Sequence, residues 1–152
     1  MVIQIDTREK PQAIQKILKD FQQNGVKFFR SKLYVGDYSN PKKPDVVVDR
    51  KQNLSELCGN VTIDHERFRN EIVRANDIGI KVIVLVEQGK GFSTLEDIQW
   101  WENPRLKKNP DTTTGERLYK ILRTMTEKYE MEVRFCDKRD TGRHIREILS
   151  DD

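Results

Sequence analysis

One segment constrains the fold of this chain more than any other, and it reads Lys81-Val82-Ile83-Val84-Leu85-Val86-Glu87. Its central residues are apolar without alternation, which is typical of a strand that is buried on both faces. A strand of this kind is covered by helices above and below its sheet. The segment therefore predicts an α/β protein.

The other strand and helix patterns alternate along the chain and predict a central mixed β-sheet flanked by helices. Gly91 to Asp111 fits neither pattern and predicts a short helix followed by a basic, exposed loop. Strands are predicted at Val2 to Ile5, Val26 to Val35, Asp45 to Lys51, Lys81 to Glu87 and Met131 to Phe135. Helices are predicted from Pro11 to Gly25, from Ile63 to Ala75, after a Thr113–Glu116 capping box, and from Thr141 to Leu149.

Composition narrows the class of protein without fixing its function. A length of 152 residues predicts one domain, and 28 Lys and Arg against 25 Asp and Glu permit nucleic-acid binding. There is no apolar stretch near the roughly 20 residues of a membrane span, and no signal-peptide core, so we expect an intracellular protein. Cys58 and Cys136 have no partner at metal-ligand spacing and are expected to be reduced thiols.

Chemically active side chains are concentrated around two predicted strands. Asp37 lies in a polar break between the predicted strands Val26 to Val35 and Asp45 to Lys51. If these strands are neighbours in the sheet, Asp37 lies close to Asp49. Asp49 and Lys51 share one face of their strand because side chains alternate, while Arg50 points to the other face. Two carboxylates near a lysine suit Mg²⁺ or Mn²⁺ and predict a metal-dependent nuclease. The alternative is that Asp37 caps a turn and that Asp49 and Lys51 form a solvated ion pair.

Five ordered segments make the nuclease interpretation more specific. Together they resemble the nuclease domain of the XPF/Hef family of structure-specific DNA endonucleases, and the resemblance covers essentially the whole chain. The segments are Ile5-Asp6-Thr7-Arg8-Glu9, Val35-Gly36-Asp37-Tyr38, Val48-Asp49-Arg50-Lys51, Glu66-Arg67-Phe68-Arg69 and Val84-Leu85-Val86-Glu87.

The resemblance implies a restriction-endonuclease-like fold and metal-dependent cleavage of branched or flapped DNA. It implies that Asp37 and Asp49 are metal ligands and that Lys51 is the catalytic lysine. The same resemblance makes Asp6, Arg8 and Arg50 active-site residues that position metal, water or phosphate. Arg67 is expected to contact the DNA backbone or to brace the carboxylates.

The chain departs from the family pattern at two positions of this motif and in its expected architecture. Asp49 stands where the family has glutamate, and Ser55 stands where it often has aspartate, with Glu56 as a possible substitute. Residues 1–152 are expected to form a single nuclease domain without the family's C-terminal helix-hairpin-helix module. A catalytically silent DNA-binding or scaffold subunit of a repair or recombination complex is the alternative function.

Further contacts with DNA or with a second copy are expected from three regions. Two basic loops, Lys42 with Lys43 and Arg105 with Lys107 and Lys108, either contact phosphates or are simply solvated. Trp100 and Trp101 either stack on unpaired bases or divide between the core and an interface. A homodimer is expected through the C-terminal part, where the alternative is that four apolar residues complete the monomer core. Those residues are Phe135, Ile145, Ile148 and Leu149.

Overall fold

A six-stranded mixed sheet in the order β2-β1-β3-β4-β5-β6 runs through residues 1–151, which the computed structural model describes. The strands are β1 (Val2–Ile5), β2 (Lys27–Arg30), β3 (Tyr38–Asn40), β4 (Lys43–Lys51), β5 (Lys81–Val86) and β6 (Met131–Phe135). β1 is parallel to β2, β3 is antiparallel to both of its neighbours, and β4, β5 and β6 are parallel. The predicted mixed sheet is confirmed.

Residues 1–151 also contain five α-helices and four short 3-10 helices. The α-helices are α1 (Gln15–Gln23), α2 (Leu54–Thr62), α3 (His65–Asp77), α4 (Gly115–Lys128) and α5 (Thr141–Leu149). The 3-10 helices span Pro11–Ile14, Leu95–Trp100, Pro104–Lys107 and Lys138–Asp140. Within residues 1–151, none of these helices combines the length and the apolar character needed to cross a membrane.

Helices cover both faces of the sheet, as the doubly apolar strand predicts. Val82, Val84 and Val86 of β5 pack in one core with α2, α3 and α4. Ile83 and Leu85 point to the other face and pack in a second core with α1 and α5. Because β5 contributes side chains to both cores, it fixes how the two helical layers pack on opposite faces of the sheet.

The strand prediction for Val26 to Val35 is wrong in its length and its neighbours. β2 ends at Arg30, lies at the edge of the sheet, and is separated from β4 by β1 and β3. After Arg30 the chain leaves the sheet, and the Leu33 N–H then donates to the buried Asp6 carboxylate (2.8 Å). The polar turn at residues 41 and 42 joins β3 to β4 instead.

Helix starts also differ from the sequence predictions. Thr114, and not Thr113, caps α4, since its hydroxyl accepts a hydrogen bond from the Arg117 N–H (3.2 Å). Helix α2 is absent from the predicted elements, although Asn53 caps it by accepting from the Glu56 N–H (2.9 Å). The short helix predicted between Gly91 and Asp111 is the 3-10 helix Leu95–Trp100. A second 3-10 helix, Pro104–Lys107, replaces part of the expected loop.

The apolar residues expected at a dimer interface are buried within the single chain. Ile145 and Leu149 are fully buried, and Phe135 and Ile148 are each 8% exposed. They complete the monomer core, so they offer no exposed surface to a second copy. Both cysteines are free and buried, as expected, and burial raises the pKa of the Cys136 thiol to about 11.

Gly36 is required by both its backbone conformation and its surroundings. Gly36 and Gly25 have φ of 74° and 70°, a region that costs other residues about 1–2 kcal/mol. A Cβ at position 36 would lie 1.9 Å from Val47 Cγ2, whereas nothing lies within 4 Å at position 25.

Alanine at these two glycines should therefore have unequal effects on stability. We expect Gly36→Ala to lower the free energy of unfolding by about 3 kcal/mol or more, because overpacking adds to the backbone cost. Gly25→Ala should cost only about 1–2 kcal/mol. Urea unfolding followed by circular dichroism measures both, and equal losses would contradict the steric role of Gly36.

Candidate active site

The two predicted metal-ligand carboxylates meet where β3 begins beside β4. Asp37 immediately precedes β3, and its N–H donates to the Val48 carbonyl of β4 (2.8 Å). Its carboxylate accepts from the Arg50 N–H (2.8 Å), which turns the side chain toward the end of β4. Asp37 thus lies beside Asp49, although the strand arrangement differs from the prediction.

The electrostatics of this carboxylate pair favour a bound proton or cation. Burial raises the pKa of Asp37 well above its usual range, and the negative charges of Asp49 and Glu9 raise it further. Asp37 and Asp49 are close neighbours, so their negative charges repel each other. A divalent cation bound to both carboxylates would offset this repulsion.

The few protein ligands available here suit Mg²⁺ or Mn²⁺, which keep several bound waters, better than a metal ion that is coordinated only by side chains. Within residues 1–151, no cluster of three or more His, Cys, Asp or Glu side chains is arranged to hold a metal ion. Mg²⁺ commonly uses one or two carboxylates and keeps several waters. Asn60 offers a further oxygen nearby, since its buried Oδ1 lacks a hydrogen-bond partner among these residues and Asn60 lines the same cavity.

Lys51 lies on the same side of β4 as Asp49, as alternation predicts. Its Nζ is 3.4 Å from an Asp49 oxygen and 5.5 Å from the centre of the Phe68 ring. Burial lowers the pKa of Lys51, but the charges of Asp49, Asp37 and Glu56 outweigh it, and the net shift is upward. The ammonium group is therefore charged at neutral pH.

Arg50 extends to the opposite face of β4 and forms a buried ion-pair network. Its Nε and Nη2 donate to the two oxygens of Glu9 (2.7 and 3.0 Å), and its Nη1 donates to Glu87 (2.6 Å). Thr141 of α5 donates to the other Glu87 oxygen (2.5 Å). Burial lowers the pKa of Arg50, but these two carboxylates raise it overall. The guanidinium is thus bonded to protein carboxylates, while the backbone N–H orients Asp37.

Asp6 and Arg8 border the site from the end of β1. Asp6 is fully buried, and its carboxylate accepts from the Leu33 N–H and pairs with Arg8 Nε (2.5 Å). Burial raises the pKa of Asp6, but these hydrogen bonds bring it below its usual value. The Arg8 side chain is 62% exposed and also interacts electrostatically with Asp37 and Glu71. Asp6 therefore anchors the long, exposed side chain of Arg8 at the rim of the site.

A cavity of about 320 Å³ between β4 and the α2–α3 pair is lined by Asp37, Asp49, Lys51 and Arg8 but not by Asp6, and we call it the acidic cavity. Arg67 of α3 lines it opposite the carboxylates. Glu56 also lines it, whereas Ser55 lines a different cavity, so the neighbouring carboxylate of the motif faces the site. The residues that line the acidic cavity are Arg8, Glu9, Asp37, Asp49, Arg50, Lys51, Gln52, Glu56, Asn60, Asp64, Arg67, Phe68 and Glu71.

The predicted basic loops lie away from the acidic cavity. Lys42 lies in the β3–β4 turn and Lys43 begins β4, about 20 Å along the strand from Asp49 at the usual rise per residue. Lys43 Nζ donates to the carbonyls of Ile148 and Ser150 at the end of α5 (3.4 and 3.1 Å). It therefore has a structural role that the sequence did not indicate.

The second basic loop lies beyond α2. Arg105 and Lys108 line a separate cavity with residues of α2, and Lys107 is exposed beside them. Of the adjacent tryptophans, Trp101 is buried and Trp100 is 76% exposed. The pair thus divides between core and surface.

Two site residues did not enter the sequence-based assignment. Glu9 binds the Arg50 guanidinium, and its position directly after Asp6-Thr7-Arg8 is the signal that marks it. Glu71 accepts from the Gly36 N–H (3.3 Å) and lines the acidic cavity. It lies on α3 one turn after Arg67, a spacing that places both on the same helix face.

The sheet topology and the carboxylates at the end of β4 define a restriction-endonuclease-like architecture. The model of the ERCC4 domain family matches residues 5–148. The chain therefore belongs to the ERCC4 domain family, and its resemblance to XPF-type nuclease domains is confirmed.

Two solved structures share this fold. XPF from Aeropyrum pernix superposes with a TM-score of 0.67 at 18% identity, covering 98% of this chain and 63% of that one. XPF from Aeropyrum pernix in complex with DNA gives 0.67 at 19% identity, covering 97% and 62%. The chain thus spans less than two thirds of the length of these structures. No curated protein sequence matches it significantly.

Removing the Arg50 guanidinium should destabilise the whole fold. Arg50→Met leaves two buried carboxylates without a cation, and we expect the free energy of unfolding to fall by about 3–5 kcal/mol. Arg123→Met is the matched control, because its pair with Glu127 is exposed to solvent and adds little to stability. Chemical denaturation compares them, and similar losses would contradict a special role for the buried network.

Proposed function

We propose that this chain is a metal-dependent endonuclease that hydrolyses phosphodiesters in branched or flapped DNA. The observation that carries the proposal is the meeting of Asp37, Asp49 and Lys51 in one cavity at the end of β4. Membership of the ERCC4 domain family supports it, as does the fold shared with an XPF structure in complex with DNA.

The chain's own residues supply distinct parts of the proposed chemistry. Asp37 and Asp49 hold Mg²⁺ or Mn²⁺, which when bound lowers the pKa of a water and offsets negative charge on the phosphate. Lys51, which is charged and fixed by Asp49 and Phe68, donates hydrogen bonds to a phosphate oxygen or orients the attacking water. Hydrolysis is expected to leave a 5′ phosphate and a 3′ hydroxyl.

Cations at the rim position the DNA backbone. Arg8 is exposed and tethered through Asp6, so its guanidinium reaches the cavity mouth from β1. Arg67 approaches from α3 on the other side of the cavity. Phosphate contacts of this kind fix the register of the DNA without reading its sequence. A homodimer remains a prediction, and it requires residues other than the four buried apolar ones.

Cleavage should depend on the carboxylate and the lysine separately. With labelled 3′-flap, fork, Holliday-junction and linear duplex DNAs and Mg²⁺ or Mn²⁺, we expect Asp37→Asn and Lys51→Ala each to lower the cleavage rate by about 10²-fold or more. Lys19→Ala on α1 is the control, because Lys19 is exposed on the opposite side of the sheet. DNA binding without metal-dependent cleavage by the wild-type chain would favour the silent-subunit alternative.

Metal binding should be measurable without any DNA. Mn²⁺ at tenfold its Kd stabilises a folded protein by about 1.4 kcal/mol, or about 3–6 °C in Tm for a domain of this size. We expect this shift in the wild-type chain and its loss in Asp49→Asn. Asp45→Asn is the matched control, since Asp45 is exposed on the same strand. A shift that persists in Asp49→Asn would contradict the assigned ligand.

A further inference from the structure

A second groove continues from the acidic cavity along α3, with a volume of about 980 Å³, and we call it the α3 groove. Arg8, Asp64, Arg67 and Glu71 line both spaces, so the two spaces adjoin each other. A DNA strand whose phosphate lies in the acidic cavity can therefore extend directly toward the α3 groove.

Tyr34 lines this groove, and it is 57% exposed. It lies in the segment between β2 and β3, three residues before Asp37. The Arg74 guanidinium is stacked over its ring, with Cζ 4.8 Å from the ring centre. Arg74 also donates to the Tyr34 carbonyl (3.0 Å), so one cation fixes both the ring and its backbone. The ring is thus held in place while much of it stays open to solvent.

Basic side chains slightly outnumber acidic ones in the α3 groove. Four cations line it, Arg8, Lys32, Arg67 and Arg74, against three carboxylates, Asp64, Glu66 and Glu71. Arg8 and Arg67 also line the acidic cavity. An exposed aromatic ring next to backbone-binding cations is the usual platform for unpaired bases, because every base has a face that stacks. Paired bases within a duplex do not offer that face to a protein side chain.

The spacing from the acidic carboxylates limits which base reaches the ring. Tyr34 and Asp37 are three positions apart in the sequence, so their Cα atoms are at most about 11 Å apart. That length corresponds to roughly three stacked nucleotides. A base on Tyr34 therefore lies close to the phosphate that the proposed reaction cleaves.

We propose that Tyr34, backed by Arg74, stacks on an unpaired base of a single-stranded DNA segment that runs from the acidic cavity into the α3 groove. This inference rests on the proposed nuclease function and assigns to it a residue that selects single-strand/duplex junctions. Arg74 acts as a positioning residue for the ring.

The test measures binding to forked DNA and to blunt duplex DNA of equal length, by fluorescence anisotropy without divalent metal. We expect Tyr34→Ala to weaken fork binding about 5- to 10-fold, the lower end of the range for a lost base–aromatic stack. Duplex binding should change less than about twofold, since a duplex leaves no base for the ring. Tyr34→Phe keeps the ring and should match the wild-type chain on both DNAs.

Several outcomes would overturn the inference. They are unchanged fork binding in Tyr34→Ala, equal losses on fork and duplex, and equal losses in Tyr34→Ala and Tyr34→Phe. Trp100→Ala is a further arm, because Trp100 is also exposed but does not line the groove. A loss of fork binding in that variant alone would move the stacking site away from Tyr34.

The same variants separate this inference from the proposed function. If the wild-type chain prefers forked DNA through Tyr34 but cleaves none of the substrates with metal, the nuclease proposal fails and the stacking site stands. If it cleaves flaps and Tyr34→Ala keeps both its affinity and its preference for flaps over duplex, the stacking site fails alone. If it binds no DNA, both fail.

Discussion

The buried network centred on Arg50 connects the parts of the molecule on which the candidate site depends. Its guanidinium binds Glu9, which follows β1, and Glu87, which follows β5, and Glu87 in turn binds Thr141 of α5. The backbone N–H of the same residue orients Asp37. Asp49 and Lys51, its neighbours in sequence, point to the other face. One residue therefore holds the strand ends together beneath the carboxylates.

Sequence patterns predicted the fold class and the chemistry of the strand end, but not how the parts connect. The doubly apolar β5 and the alternation in β4 are local properties, and they correctly placed Asp49 and Lys51 on one face. The position of β2 depends on its parallel pairing with β1, and the role of Lys43 depends on carbonyls at the end of α5. Such contacts join residues far apart in sequence, which periodicity does not reveal.

The partners of Arg50 within the site were likewise not predictable from local sequence patterns. Alternation placed its side chain opposite Asp49, but the family resemblance assigned it a role beside metal, water or phosphate. In the structure, the Arg50 guanidinium instead forms ion pairs with Glu9 and Glu87 in a buried cluster. Two carboxylates from separate strand ends converge there only because β1 and β5 end at the same side of the sheet. A single sequence contains no direct signal of that convergence.

The alternation of β4 also limits how the hairpin before it can change in length. The register shift between Ser39 and Asn40 lies at the turn end of the hairpin, whereas Tyr38 and Val48 pair next to the site. Extra residues at the turn therefore leave the site pairing intact. Deletion of Val47 would instead shift one part of β4 by one residue relative to its neighbours and exchange the two faces of that part. The β3–β4 hairpin can thus change in length at its turn. Near the site, a change of one residue would exchange the two faces of the strand.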